Sequence, residues 1–152
     1  MKLFFSLLIT LAVGGIAGYY TASSIGTWYA GLNKPSFNPP NWIFGPVWTI
    51  LYILMGIALY YVWSLPVSKS RNIALIIFFV QLALNFIWSI IFFNLHQMGW
   101  AFIDIILLLC FIAATMFLFN QLSKPAAWLL LPYLLWVSFA LVLNFALWQL
   151  NK

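Results

Sequence analysis

Between Trp28 and Tyr52 the chain reads WYAGLNKPSFNPPNWIFGPVWTILY, seven aromatic residues and four prolines gathered around the single lysine Lys34. Apolar runs lie on both sides of this stretch. Rigid, flat side chains concentrated on a connection between two apolar segments predict a lid, or the wall of a site, rather than a plain linker.

The rest of the chain sets the surroundings of that connection. With 66% hydrophobic and only 5% charged residues, and a mean hydropathy of +1.10, there are too few polar side chains to cover a surface facing water. The chain belongs in lipid. A spanning helix takes roughly 20 apolar residues, so 152 residues hold five spans with short connections and no soluble domain. The expected fold is an all-α membrane protein, a single domain of five transmembrane helices with a long first inter-helix loop. Five apolar segments fit it, at roughly residues 3–25, 42–65, 72–94, 98–121 and 125–150. At a rise of about 1.5 Å per residue, each can cross a hydrocarbon core of about 30 Å. The later connections, PVSKSR, NLHQ and LSKP, are tight, which predicts that sequential helices are antiparallel neighbours.

Charge separates the two ends. A formal charge of +5 would suggest nucleic acid in a soluble protein, but the six Lys and Arg residues are scattered and form no basic stripe. They read as membrane-edge anchors. One end, side A, holds the N-terminus and the second and fourth connections, with Lys2, Lys69, Arg71 and Lys124; the other, side B, holds Lys34 and Lys152. The excess predicts side A, and with it the N-terminus, on the inner face of a bacterial cell membrane. The first apolar run continues past the 7 to 15 residues of a secretory signal core, so it is read as a retained span. Cys110 is the only cysteine, which excludes an internal disulfide.

Polar side chains inside spans are few, and depth sorts them. At the helical rise, Trp48, Tyr52, Asn85, Trp88, Ser89, Asp104 and Asn144 fall within roughly 15 Å of side B, with Trp136 a little deeper. Residues four apart share a helix face. Trp48 pairs with Tyr52, Asn85 with Ser89, and Trp136 with Ala140 and Asn144, so three helices offer aromatic, small and amide groups toward one another. A pocket opening toward side B and covered by residues 27–41 follows. The plainer reading stands beside it: Trp48, Trp88 and Trp136 also suit core packing, and Asn85 and Asn144 also suit bonds between helices. Trp28, Trp42, Trp63, Trp100, Trp128 and Trp148 lie near helix ends, as in an interfacial belt. Asp104 is the single acid, and His96 has no second ligand at metal spacing, so neither a metal nor a resident cofactor is expected.

Two backbone features complete the plan. Gly14, Gly18, Ala22 and Gly26 recur every four residues, a small-residue stripe on which a helix can pack closely, within the bundle or across a dimer. Pro132 should kink the fifth span just before Trp136 and help to open a cavity.

The motifs WYxxLxKPxFxPPxWxFxPVWTxLY from Trp28, NFxWSxxFF from Asn85 and PYxxWVxFAxxLN from Pro132 resemble the translocator protein family, also called tryptophan-rich sensory proteins. The resemblance runs along the whole chain. It implies a five-helix bundle, usually a homodimer in membrane lipid, with a pocket for porphyrins such as protoporphyrin IX and for isoquinoline or benzodiazepine-type drugs. It assigns ligand binding to Tyr29, Trp48, Tyr52, Asn85, Phe86, Ser89, Trp136 and Ala140. It also brings in a proposed activity, light- and oxygen-dependent porphyrin degradation, in which Trp48 and Trp136 would be the catalytic side chains. The alternatives are a binding and sensing protein without chemistry and a small-molecule transporter. The sterol pattern of animal members fails at Tyr133, since no basic residue follows before Lys152.

Overall fold

In the computed structural model, which describes Met1–Lys152, helices and tight turns account for the architecture and there are no strands. The helices are α1 (Lys2–Ile25), α2 (Asn41–Trp63), α3 (Lys69–Ser89), α4 (Met98–Leu122), α5 (Lys124–Leu129) and α6 (Leu131–Leu150). Five helical segments are long and apolar enough to span a membrane, the third being Lys69–Asn94 and the fifth Lys124–Leu150. The chain is therefore an integral, multi-pass membrane protein.

Helix ends follow local chemistry. Ser68 caps α3, its Oγ accepting from the Arg71 N–H at 3.2 Å, which starts the helix ahead of its apolar run. At the other end α3 widens into one π turn, Ile90–Asn94, in which the Leu95 N–H reaches the Ile90 carbonyl at 2.9 Å. The fifth span breaks at Leu130, two residues before Pro132, which sits in the first turn of α6. Proline is tolerated there because its missing N–H has no helical partner to lose.

The spans close into a ring in the order α1, α2, the fifth span, α4, α3, and back to α1, so the tight connection between α2 and α3 does not make those two helices ring neighbours as its length predicts. The break at Leu130 divides the fifth span into two uses. On side A, α5 packs against both α2 and α4; beyond the break, α6 keeps α4 but has no comparable contact with α2. The space left between α2 and α6 is filled by rings instead of backbone, with Phe44 against Trp136 at 6.3 Å and Trp48 against Tyr133 at 6.4 Å.

The small-residue stripe on α1 meets the rest of the chain closely at Gly14. Gly14 is covered by the Tyr52 ring, but Gly18 and Gly26 have nothing within 4 Å. α1 and α2 also meet closely at Gly56 of α2, where an added Cβ would lie 2.8 Å from the Leu7 side chain and from the Thr10 hydroxyl and 3.1 Å from the Leu7 backbone. Thr10 also donates to the Tyr52 carbonyl at 2.8 Å, a bond between helices in a setting without water.

Replacing Gly56 by Leu forces α1 away from α2 at this contact. Overpacking of this kind costs about 1–3 kcal/mol, so Gly56→Leu should lower the unfolding temperature in detergent by several degrees. The same change at Gly18, which faces open space, should leave it within about a degree.

Candidate functional site

The first connection folds over side B as a lid. After α1 the chain makes a short turn of 3-10 helix, Tyr29–Gly31, then a second turn at Ser36–Phe37 in which the Asn38 N–H donates to the Pro35 carbonyl at 3.1 Å, and reaches α2 through Pro39 and Pro40. Tyr29 is the anchor. Only 1% exposed, its ring lies among Phe44, Phe92 and Phe93, and its hydroxyl donates to Asn38 Oδ1 at 2.7 Å. Burial pushes its phenol above the ordinary value, partly offset by the Asn38 bond, so it remains a donor at neutral pH. Lys34 folds back over the same ring at 5.1 Å while donating to the Ala30 and Leu32 carbonyls. The far edge of the lid is fastened to the end of α6. The Asn33 N–H donates to Asn151 Oδ1 at 2.8 Å, Asn151 Nδ2 donates back to the Asn33 carbonyl at 2.9 Å, and Phe37 meets Phe139. Trp28 stacks on His96 at 4.1 Å and tilts its edge onto Phe92, tying the lid to the π turn.

Beneath the lid lies an aromatic chamber. Tyr29, Phe44, Trp48, Trp88, Phe92, Phe93, Trp136 and Phe139 line it, with Ala140, Leu143, Asn144 and Leu147 along α6 and Thr21 on α1. Its open volume is about 30 Å³, room for one water molecule. Beside it, between α1 and α2, runs a groove of about 430 Å³, within the range of small-molecule sites. Gly14, Gly15, Gly18 and Ala22 of α1 form one wall, Gly45, Trp48, Thr49 and Tyr52 the other, and Trp88 and Ser89 the floor. Thr21, Phe44, Trp48 and Trp88 belong to both spaces. Half-buried Trp48 is part of the partition between them, together with Thr21, Phe44 and Trp88.

A buried chain of hydrogen bonds holds this partition in place. The Tyr52 hydroxyl donates to Asn85 Oδ1 at 2.9 Å, Asn85 Nδ2 to the Tyr133 hydroxyl at 2.7 Å, that hydroxyl to Gln81 Oε1 at 2.8 Å, and Gln81 Nε2 to Met55 Sδ at 3.9 Å. Tyr52 in turn carries Trp48 one turn away, with ring centres 5.7 Å apart. A second pair lies nearer side B, where Trp88 Nε1 donates to Asn144 Oδ1 at 3.0 Å and Asn144 Nδ2 to the Met98 carbonyl.

The residues singled out from the sequence thus separate into three groups. Tyr29, Trp48, Trp136 and Ala140 line the chamber, and Trp48, Tyr52 and Ser89 line the groove. Asn85 lines neither, its amide being engaged by Tyr52 and Tyr133. Half-buried Phe86 also lies outside both spaces. The side chains that sequence reasoning left out are Phe44, Phe92, Phe93 and Phe139. Spacing carried a signal for two of them, since Phe44 stands four before Trp48 and Phe92 four after Trp88. Of the tryptophans read as a belt, Trp42, Trp100 and Trp128 are exposed, while Trp28 is built into the underside of the lid.

Comparison with known proteins places the chain in a family. The model of the TspO/MBR family matches residues 6–149. The chain is 47% identical to the tryptophan-rich protein TspO of Archaeoglobus fulgidus over 99% of its own length and 97% of that protein. It is 43% identical to the translocator protein of Bos taurus, over 97% of this chain and 88% of the relative. Identity to the tryptophan-rich sensory protein of Cereibacter sphaeroides is 42%, over 82% and 77%. A match of this extent, on a bundle of five helices long and apolar enough to span a membrane, means that the chain belongs to the TspO/MBR family.

Proposed function

We propose that the chain binds a flat, largely apolar tetrapyrrole such as protoporphyrin IX beneath the lid, sensing, sequestering or moving it. The observation that carries this reading is the adjacency of groove and chamber, which share Thr21, Phe44, Trp48 and Trp88 as lining. A ligand arriving in the groove finds glycines where a plate-like ring needs space and indoles where it gains stacking area. Ser89, 5% exposed and without a protein partner for its hydroxyl, supplies one polar group on the groove floor. The same surfaces would accept isoquinoline and benzodiazepine-type drugs. A homodimer in a bacterial cell membrane, with the N-terminus inside, completes the proposal, the orientation resting on the excess of Lys and Arg at side A.

A second reading is favoured by the ring contacts that join Trp48 to Tyr52 and Tyr133, and Trp136 to Phe44. Light-dependent breakdown of the porphyrin, with dioxygen as oxidant, would use Trp48 and Trp136 as electron donors to the excited ring. A transporter without chemistry is the remaining alternative.

Replacing Trp48 or Trp136 by Phe removes stacking area while keeping an apolar ring. Each change should weaken protoporphyrin IX binding by about tenfold, equivalent to about 1.4 kcal/mol, with helicity unchanged. Ligand titrations identical to wild type for both variants would remove the site. At saturating porphyrin under illumination, loss of the Soret band separates the two readings. Breakdown that needs the indoles stops in both variants, whereas breakdown by light and oxygen alone continues at the wild-type rate, because excess ligand rescues binding but not reaction.

The clasp between Asn33 and Asn151 is solvent-exposed, so each of its bonds is worth about 1 kcal/mol at most. Asn151→Ala should speed porphyrin release about threefold to tenfold in stopped-flow displacement. An unchanged release rate would show that the lid does not limit escape.

A further inference from the structure

The end of the bundle opposite the lid gathers positive charge without any protein charge to match it. Arg71 is only 7% exposed. Its Nη2 donates to the Trp63 carbonyl at 2.8 Å and its Nη1 to Asn72 Oδ1 at 3.2 Å, while Lys2 Nζ donates to the same Trp63 oxygen at 3.3 Å. Two cations therefore converge on one neutral oxygen. The chain's single acid, Asp104, lies in the side-B part of α4, away from this corner.

Three physical terms favour an anion at this corner. A guanidinium has five N–H donors, and only two here have an acceptor in the protein; the buried Nε–H has none. Lys69 and Arg71 occupy the first turn of α3, where the positive end of the helix dipole opposes cations and favours anions. The Trp63 carbonyl, at the end of α2, compensates part of one charge and not two. All of this sits where α1, α2 and α3 end at side A, the depth at which a bilayer places its phosphates.

We propose that Lys2 and Arg71 form a binding site for the phosphate of an anionic phospholipid in the side-A leaflet, with Lys69 adding to the attracting field. The phosphate accepts from the free Nη hydrogens of Arg71 and from Lys2, and the lipid tails lie along the apolar outer surfaces of α1 and α3. Arg suits the role because its planar fork matches two phosphate oxygens at once. The site is separate from the lid and chamber, and stands or falls without them.

Native mass spectrometry of the full-length protein in detergent tests it, titrating phosphatidylglycerol and phosphatidylcholine of identical acyl chains. Phosphatidylglycerol should bind about tenfold tighter, the contribution expected of one to two cations near the membrane surface. Lys2→Gln, at an exposed side chain, should reduce that preference about threefold or more; Lys2→Gln with Arg71→Gln should abolish it. Lys152→Gln, at the opposite end, should leave it intact. Equal affinity of the wild-type protein for both lipids overturns the proposal, as does a Lys152→Gln effect equal to that of Lys2→Gln. Displacement of phosphatidylglycerol by an equal concentration of inorganic phosphate would assign the corner to free phosphate and overturn the lipid site.

Discussion

Inside a bilayer no water is available to a stranded polar group, and each such group left alone costs several kcal/mol. The chain from Tyr52 through Asn85 and Tyr133 to Gln81 and Met55 is this protein's answer to that constraint. Every member donates in the same sense, so each oxygen finds a hydrogen and the sulfur ends the series. Because the members come from α2, α3 and α6, satisfying them fixes the depth and rotation of three helices together. Trp48 sits one turn from Tyr52 and inherits that register, which is how a structural network comes to set the wall between groove and chamber.

The break at Leu130 supplies what the network alone does not. A straight fifth span would lie against α2 along its whole length and close the space that the aromatic rings now occupy. The break instead gives α5 to α2 at side A and frees α6 from it at side B. The bundle is thus tight where it needs anchoring and loose where it can admit a guest. Local sequence makes the division possible, since Pro132 can begin a helix but cannot continue one.

Much of this architecture is legible in the sequence. Hydropathy and length are enough for five spans because lipid imposes one periodic solution on the backbone. Spacing by four brought Trp48, Trp136 and Ala140 toward one space, and the proline at 132 marked the break. What sequence could not resolve was competition for the same side chain. Asn85 has the depth and face of a ligand contact, yet two tyrosine hydroxyls engage it first. Phe92 and Phe93 reach the chamber through a π turn, whose extra residue displaces side chains from the ordinary helical repeat. The α1 stripe reads as a packing seam; within the chain Gly14 packs on Tyr52, and Gly14, Gly15, Gly18 and Ala22 also form a groove wall.

The lid is fastened to α6 at two places, by Asn33 on Asn151 and by Phe37 on Phe139, and α6 also carries Trp136 and Ala140. Cover and wall are therefore mechanically joined. A lid that lifts while clasped drags the helix bearing half of the chamber, and a lid that lifts freely must first let go of it. Access and shape are in this way one degree of freedom, and a guest that wedges α6 outward loosens the cover above itself.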